Sequence, residues 1–215
     1  MTKKQRFDFV LDYFSKNQPL AETELIYATP YQLVVAVILS AQCTDKRVNM
    51  ITPQFFKSFQ DFSSLSKASF DDVFELIKSC SYPNNKTKLL IGMAQTVVGK
   101  FNGALPENIE EMQEIPGVGR KTANVLASVL FDVPAIAVDT HVFRVSARIG
   151  LVSNAKTPLE TEKQLVRFIP ANKRAIAHHW LILHGRYICK ARNPHCEICP
   201  LLTVCKYNQK KISKT

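Results

Sequence analysis

The stretch EIPGVGRKTANV, residues 114–125, decides the fold because it joins two helical segments through a proline and two glycines. Pro116 ends the first helix, and Gly117 and Gly119 permit a tight turn, since glycine adopts positive φ and leaves room for an approaching backbone. The second helix then begins with unpaired N–H groups at the positive end of its dipole, and these features together favour an anion. In a basic chain the natural anion is a nucleic-acid phosphate. A plain turn between two helices is the alternative that the spacing leaves open.

Two nucleotide-binding motifs fail on the same stretch. A P-loop needs a glycine directly before its Lys-Ser/Thr pair, and Arg120 stands at that position. A dinucleotide-binding fingerprint needs a third glycine, where Thr122 stands, and a strand before the turn. The stretch therefore matches neither motif.

Lys121 is an unexpected residue for its position, because the positive end of a helix dipole disfavours a cation. It begins an apolar helical segment and follows Arg120, and both surroundings disfavour its ammonium form. A neutral lysine amine is a nucleophile that forms a Schiff base with an aldehydic carbon. We therefore predict that Lys121 is a catalytic amine, and a solvated surface lysine is the alternative.

A single acid, Asp139, ends the apolar connector in PAIAVDTHVFR, residues 134–144. Its side chain is suited to cap a helix that begins at Thr140, with Val138 and Phe143 as the hydrophobic staple around the cap. A carboxylate near the lysine is also suited to accept its proton or to face a developing positive charge. The structural and the catalytic interpretation are compatible.

Four cysteines near the C-terminal end have the spacing C-x6-C-x2-C-x5-C, and they are Cys189, Cys196, Cys199 and Cys205. Four thiolates so close in sequence are able to hold one compact ion or cluster. Zinc ribbons usually carry two C-x2-C knuckles, and only one is present here. Because unequal loops suit a [4Fe–4S] cluster, we predict this cofactor and keep zinc as the alternative. Basic residues surround the cysteines and indicate phosphate contact rather than electron transfer: Lys190, Arg192, Lys206, Lys210 and Lys211.

Several other residues are expected to have buried or supporting roles. Cys43 and Cys80 lie far from the four clustered cysteines in sequence, and we expect small buried hydrophobic residues there. Three histidines on an apolar segment, together with a tryptophan, are expected in the core or in supporting roles: His178, His179, His184 and Trp180. The sequence shows no partner for His141.

Hydrophobic spacing predicts helices almost throughout the chain. An apolar stripe at helical spacing comprises Phe7, Val10, Leu11 and Phe14. Capping signals predict helix starts at Thr29-Pro30 and Ser69, and Thr157 to Glu160 has the form of a reciprocal capping box. Further helices are expected over residues 86–101 and 175–188. Residues 134–138 are the best strand candidate, and they are short enough to be a connector, so we predict an all-α protein.

Composition and charge limit the class of protein. The chain has 215 residues, of which 46% are hydrophobic, and a net charge of +10, which together predict a well-formed core and a polyanionic partner. The N-terminal stretch MTKKQRFDFVLDYF is interrupted by acids and does not have the apolar core of a signal peptide. No stretch has the roughly 18 apolar residues of a membrane span. We therefore expect a cytoplasmic, nucleoid-associated protein without a disulfide framework, with a monomer as the default.

These features together resemble the endonuclease III family, DNA glycosylases of the helix-hairpin-helix superfamily. The resemblance covers nearly the whole chain, and all four clustered cysteines match the family's spacing. The matching segments are residues 39–45, 115–124, 137–144 and 178–187. It implies a two-lobed, all-α helix-hairpin-helix glycosylase fold with a C-terminal [4Fe–4S] loop. One domain would be a six-helix barrel over residues 22–132, and a discontinuous cluster domain would comprise residues 1–21 and 133–215.

The resemblance also implies a reaction, namely removal of oxidised pyrimidines from double-stranded DNA and cleavage at the resulting abasic site. Lys121 matches the nucleophile that attacks C1′ of the sugar and displaces the base. Asp139 matches its acid partner. The imine that forms acidifies the C2′ protons, and β-elimination then cuts the strand 3′ to the site.

The resemblance assigns DNA contacts as well. Gln42 matches the residue that the family inserts into the gap left by the flipped nucleotide. Four residues match the phosphate-binding hairpin: Gly117, Val118, Gly119 and Arg120. Residues 81–86, SYPNNK, depart from the family pattern in the loop that supplies a second wedge, and Tyr82 is the candidate wedge there.

Three other functions compete with this one. Adenine-removing mismatch glycosylases of the same superfamily typically lack a lysine at the position of Lys121 and carry an additional C-terminal domain. Uracil or thymine-mismatch specificity on the same scaffold remains open. A non-catalytic, basic DNA-binding module would keep the charge, hairpin and cysteines, but would leave Lys121 and Asp139 unexplained.

Overall fold

The computed structural model describes residues 1–212, with side chains through residue 209, and in that part of the chain all regular structure is helical. Residues 213–215, which the predicted cluster domain includes, lie outside the described residues. The α-helices are α1 (Lys3–Asn17), α2 (Pro30–Ser40), α3 (Asp45–Ser58), α4 (Phe62–Ser66), α5 (Phe70–Ile77), α6 (Pro83–Lys100), α7 (Ile109–Met112), α8 (Arg120–Leu130), α9 (Thr140–Ile149), α10 (Pro158–Leu165), α11 (Arg174–Tyr187) and α12 (Lys206–Ile212). The all-α prediction is confirmed, and the strand candidate at residues 134–138 is an extended connector.

Local capping explains where several of these helices begin. The Thr29 side chain accepts the N–H of Gln32 at the start of α2, and Ser69 caps α5 in the same way. Thr157 caps α10 through the N–H of Glu160. The predicted reciprocal box is wrong at its second half, because the Glu160 carboxylate accepts the N–H of Lys156, at 2.7 Å, instead of that of Thr157.

The chain folds as two compact units. One unit, called the hairpin unit here, comprises Thr23–Phe131. The other, called the cysteine unit, combines Met1–Glu22 with the chain from Asp132 onward. Each unit has its own apolar interior.

The interior of the hairpin unit surrounds α2. This helix is apolar on every side because α3, α6 and α8 all pack against it. Its buried residues are Tyr31, Leu33, Val34, Val35, Ala36, Val37, Ile38 and Leu39. The buried helix therefore fixes the position of the residues that follow it, which include Gln42 and Cys43.

The interior of the cysteine unit joins the first helix to apolar residues from Ile136 onward. The predicted stripe on α1 is confirmed as buried, and Phe14 stacks on Trp180 of α11 with ring centroids 5.8 Å apart. The indole N–H of Trp180 donates to the carbonyl of Gln18 at 2.7 Å. The buried guanidinium of Arg6 donates to the carbonyl of Val204 at 2.8 Å, which ties α1 to the cysteine-rich segment.

Within the described residues, no helix has the length and apolar character that crossing a membrane requires.

Candidate active site and cysteine cluster

The hairpin between α7 and α8 is built around Gly117. This residue has φ +83°, and a Cβ there would lie 3.2 Å from Cδ1 of Ile38 on α2. Only glycine satisfies both the backbone and the space at this position. Gly119, at the N-cap of α8, has an extended backbone and open space around a hypothetical Cβ. The turn is therefore packed on one side and open at the start of α8.

Val118 holds the turn and is not exposed to a partner. Its side chain is buried, and its N–H donates to the carbonyl of Ile115 at 2.9 Å. Neither the side chain nor the N–H is available to a phosphate. The backbone amides of Gly119 and Lys121 lie at the open start of α8 and are candidate donors.

Lys121 and Arg120 occupy that first turn, and both are exposed. The apolar neighbours expected around Lys121 do lie in the interior, since Ala123 and Leu126 are fully buried. The lysine itself lies on the opposite, exposed face of the amphipathic helix. Its amine is accessible to a large substrate.

A pocket of about 270 Å³ in the hairpin unit brings together three predicted site residues that are distant in sequence. Its lining includes Gln42 after α2, Tyr82 before α6 and Gly117 in the hairpin. Thr122 of α8 also lines it. The segment at residues 39–45, the loop at residues 81–86 and the hairpin thus form one surface.

Gln42 and Tyr82 share an uncommon backbone conformation. Their φ angles are 53° and 56°, in the left-handed region that non-glycine residues rarely adopt. Both side chains are exposed, and the Ser81 hydroxyl donates to the carbonyl of Gln42 at 2.7 Å. The contact holds the two loops together, and backbone strain of this kind is concentrated at functional sites.

Lys86 is a site residue that the sequence does not reveal. It lines the same pocket, is only 3% exposed, and its ammonium donates to the carbonyl of Leu39 at 2.7 Å. Burial lowers the pKa of this amine, and the neighbouring Cys80 and Cys43 oppose that shift. A single lysine in a polar stretch ordinarily indicates a surface charge, so only the three-dimensional packing identifies it.

Asp139 caps α9, as predicted. Its Oδ1 accepts the backbone N–H groups of His141 and Val142, each at 2.8 Å. Its Oδ2 lies 3.0 Å from Nδ1 of His141. The carboxylate is therefore fixed by three contacts while its side chain keeps partial exposure.

His141 is the partner that sequence reasoning missed. The Asp-Thr-His spacing places its imidazole beside the cap, which is the only signal that points to the pair. Gly185 of α11 packs closely on this residue, because a Cβ at Gly185 would lie 2.9 Å from Cβ of His141. The position of the cap thus depends on the contact between α9 and α11.

The four clustered cysteines line one pocket at the end of α11. Two short 3-10 turns, Cys196–Ile198 and Leu202–Val204, fold the segment so that its thiols face one another. Burial raises the pKa of the Cys199 thiol to about 11, a backbone hydrogen bond from Leu201 opposes this shift, and the other three cysteines add to it. A bound cation would offset this shift, because metal binding stabilises a thiolate.

The donor set fits an iron–sulfur cluster better than a single ion. A zinc ion draws its four sulfurs to within about 4 Å of one another, since Zn–S bonds are about 2.3 Å. Unequal loops of six, two and five residues between the four cysteines suit the larger core of a cluster.

Basic groups support the cysteine segment from α9. The Arg148 guanidinium donates to the carbonyls of Lys190 and Ala191, at 2.6 and 3.0 Å, and lies 3.7 Å from Sγ of Cys189. Nε of Arg144 donates to the carbonyl of Cys189. Three members of the predicted basic collar are exposed, namely Lys190, Arg192 and Lys206, and the side chains of Lys210 and Lys211 lie outside the described residues.

Comparison with known proteins places these features in a family. Residues 35–171 match the model of the HhH-GPD superfamily base excision DNA repair proteins, and residues 189–205 match the iron–sulfur binding domain of endonuclease III. Endonuclease III of Rickettsia felis is 45% identical over 206 residues, which are 95% of this chain and 96% of the relative. Endonuclease III of Bacillus subtilis is 42% identical over 214 residues, 100% and 98% of the two chains.

A solved structure of a trapped endonuclease III–DNA covalent intermediate has the same fold, with a TM-score of 0.93 and 41% identity over 99% of this chain and 100% of that chain. The sequence-based resemblance is confirmed. The chain therefore belongs to the HhH-GPD superfamily of base excision DNA repair proteins and, within it, to the endonuclease III family of DNA glycosylases and AP lyases that carry an iron–sulfur cluster.

Proposed function

We propose that this chain removes oxidised pyrimidines from double-stranded DNA and cleaves the abasic strand on its 3′ side through a lysine Schiff base. The observation that carries the proposal is the exposed amine of Lys121 in the first turn of α8, directly after a glycine hairpin whose open side presents backbone amides. Such amides hold a phosphate, and a phosphate held there brings the adjoining sugar to the lysine.

In the proposed reaction, Nζ of Lys121 attacks C1′ of the damaged nucleotide, and the bond between C1′ and the base breaks. The sugar ring opens as the imine forms between Nζ and C1′. Loss of a C2′ proton then expels the 3′ phosphate from C3′. The lysine attacks C1′ only when its amine is neutral. A base must then accept the proton that the amine releases on forming the new bond.

Asp139 is the proposed proton acceptor and the group that faces positive charge on the sugar. The different contacts of its two oxygens support this role, because Oδ1 accepts two helix N–H groups and Oδ2 faces His141. A carboxylate oriented in this way keeps its geometry when charge develops, which is the condition for electrostatic stabilisation.

Gln42 and Tyr82 are the proposed wedges into the duplex. They line one pocket, are exposed and have left-handed backbones, and the Ser81 hydroxyl joins their two loops through the carbonyl of Gln42. Extrusion of a nucleotide costs a few kcal/mol in lost stacking, and side chains that occupy the gap offset that cost. A lesion that already weakens stacking lowers it further.

The proposed cofactor is a [4Fe–4S] cluster held by Cys189, Cys196, Cys199 and Cys205. When bound, it supplies four iron–thiolate bonds that lock the C-terminal segment. The exposed basic residues around it are the proposed contacts to the DNA backbone. We further propose that the hairpin unit is the six-helix barrel domain and that the cysteine unit is the cluster domain.

Borohydride trapping tests this function. Borohydride reduces an imine to a stable amine, so wild-type enzyme mixed with a duplex that contains one thymine glycol should yield a covalent adduct. Lys121→Ala and Lys121→Arg should yield none, and Lys121→Arg should keep DNA affinity because it retains the charge. An adduct on an abasic duplex alone would reopen the base specificity.

The absence of an adduct on either duplex, with folded protein and an intact cluster, would contradict the catalytic role of Lys121. The chain would then be a monofunctional glycosylase or a binding module.

A further inference from the structure

Cys43 and Cys80, called the cysteine pair here, lie near each other although 36 residues separate them in sequence, since Cys43 contributes to the raised pKa of the Cys80 thiol. Both cysteines are free of disulfides. Their neighbours are in contact, since the hydroxyl of Ser81 donates to the carbonyl of Gln42 at 2.7 Å. The end of α2 and the start of α6 thus meet at two thiols. The pair is separate from the four cluster cysteines and from the proposed reaction.

The two members of the pair differ in accessibility. Cys43 is partly exposed, whereas Cys80 is only 4% exposed. Burial raises the pKa of Cys80 to about 11, and Cys43 adds to this, while Lys86 and Arg47 oppose it. Cys43 is therefore the thiol that an oxidant meets first, and Cys80 is the thiol poised to resolve the product.

We propose that Cys43 and Cys80 are a reversible dithiol–disulfide pair that links the two loops carrying Gln42 and Tyr82 and so controls lesion recognition. The oxidant is a hydroperoxide. Hydrogen peroxide transfers an oxygen to the Cys43 sulfur, which gives a sulfenic acid and releases one water. The Cys80 sulfur attacks the Cys43 sulfur, the S–O bond breaks, and the hydroxide leaves as a second water with the Cys80 proton. A dithiol reductant reverses the bond by exchange.

The effect on recognition follows from where the link lies. Cys43 comes directly after Gln42, and Cys80 is two residues before Tyr82. Both wedge candidates have strained backbones with positive φ, and their proposed role depends on these positions. A disulfide of about 2.05 Å would draw the two sulfurs together and so displace both loops from these positions. This part of the proposal rests on the proposed function, and the oxidised enzyme is expected to excise a damaged base roughly tenfold more slowly.

Peptide mapping of the oxidised holoenzyme tests the bond itself. The enzyme is purified under reductant, treated with hydrogen peroxide, blocked with a thiol alkylating reagent and digested without reduction. A linked peptide that contains Cys43 and Cys80, about 2 Da lighter than the two thiol peptides together, is expected. The visible absorbance of the iron–sulfur cluster is followed in the same sample and should be unchanged. Failure to find the linked peptide while the cluster is intact would overturn the proposal.

Two matched variants test the consequence. Cys43→Ser and Cys80→Ala each remove one thiol, and alanine avoids an unpaired hydroxyl at the buried site. Both are expected to match reduced wild type in excision of thymine glycol and to lose the peroxide sensitivity that dithiothreitol reverses in wild type. A linked peptide with unchanged excision would contradict the control of recognition. If no reduced enzyme excised thymine glycol, that result would contradict the proposed function instead. Peptide mapping would still show whether the disulfide between Cys43 and Cys80 forms.

Discussion

The two carboxylate oxygens of Asp139 have different neighbours, and this separates its structural role from its proposed chemical one. Oδ1 takes the two N–H groups at the start of α9, while Oδ2 meets the imidazole of His141. Asparagine caps a helix as well as aspartate does, but it carries no charge. A substitution is therefore able to keep the cap and to remove the charge.

Asp139→Asn should leave the free energy of unfolding within about 0.5 kcal/mol of wild type, since the cap survives. Turnover on a thymine glycol duplex should fall roughly 100-fold, the lower end of what a positioned proton acceptor contributes. Asp139→Ala is the matched control and should lose about 1 kcal/mol of stability as well. Stability is measured by urea unfolding and turnover by strand cleavage. Unchanged turnover in the asparagine variant would remove Asp139 from the reaction.

Gly117 and Gly119 have different tasks within one turn. Gly117 is required by the fold, because it combines positive φ with a close approach to Ile38. Gly119 has an extended backbone and open space, so the fold alone tolerates a side chain there. The proposed phosphate contact is then the reason for a glycine at the second position.

Gly119→Ser should raise stability by a few tenths of a kcal/mol, because serine is a better N-cap than glycine. DNA affinity should fall about tenfold, because the new hydroxyl accepts an N–H of the first turn that a phosphate would otherwise take. Gly117→Ala should instead cost about 1–2 kcal/mol of stability through strained backbone. Melting temperature and binding to an abasic duplex at fixed salt measure both effects. Wild-type affinity for Gly119→Ser would contradict the phosphate contact.

At the scale of single residues, the sequence predicts those features that depend on residues close by in the chain. The cap of Asp139 and the hairpin glycines depend on spacings of a few residues, and both appear in the structure as expected. Lys86 was missed because its burial depends on the carbonyl of Leu39, which a distant helix supplies. The proximity of Cys43 and Cys80 is missed for the same reason.

At the scale of elements, α9 and α11 position the cap and the cysteine segment together. Arg144 of α9 donates to the carbonyls of Gly185 and Cys189, at 3.0 and 3.2 Å. A cation at the C-terminal end of α11 complements the dipole of that helix. Gly185 permits the close packing, since any side chain there would meet His141 and Val145. The proposed acid and the cluster segment therefore share one helix pair.

Gly185→Ala should cost about 1–3 kcal/mol of stability, because its Cβ would lie 2.9 Å from Cβ of His141 and 3.1 Å from Cγ2 of Val145. The shift of α9 should also lower turnover through displacement of the cap at Asp139. Gly99→Ala in α6 is the matched control, since nothing lies within 4 Å of its Cβ, and it should be neutral or stabilising by up to about 1 kcal/mol. Equal melting temperatures for the two variants would contradict the close contact.

Helix positions were predictable from the sequence because helix starts have short-range signals. Thr29-Pro30 and Ser69 stand where α2 and α5 begin. The capping box at Thr157 was only half right, because Glu160 found another backbone N–H one residue earlier. The N–H groups of Lys156 and Thr157 are two donors of similar local energy, and they cannot be ranked without the path of the preceding chain.

At the scale of the whole molecule, the cysteine unit is held by contacts between residues at opposite ends of the chain. Arg6 bonds Val204, and Trp180 bonds Gln18, so α1 is an integral part of the unit. Periodicity indicated the apolar stripe on α1 but did not specify the element it packs against. Only the resemblance to a family implied a discontinuous domain, because pairing between distant segments leaves no local signature.

The stability of the whole chain should depend on pH through a histidine on α11. Burial lowers the pKa of His179 to about 4, and Arg186 adds to this, so the folded protein holds a neutral imidazole where the unfolded chain binds a proton. A depressed folded pKa contributes stability that is fully present above the ordinary value of about 6.5 and is lost as the pH falls through 4. The loss should reach about 3 kcal/mol, since one pKa unit corresponds to about 1.4 kcal/mol.

His179→Gln tests this dependence because glutamine stays neutral throughout the range. The unfolding free energy of wild type minus that of the variant, measured by urea at several pH values between 7 and 4.5, should fall by about 2–3 kcal/mol as the pH falls, because only the wild-type unfolded chain gains a proton at this position. The absorbance of the iron–sulfur cluster is recorded at each pH, so that acid release of iron is separated from unfolding. Parallel curves over this range would show that His179 does not titrate between the folded and unfolded states, and the acid sensitivity of the chain would then have another origin.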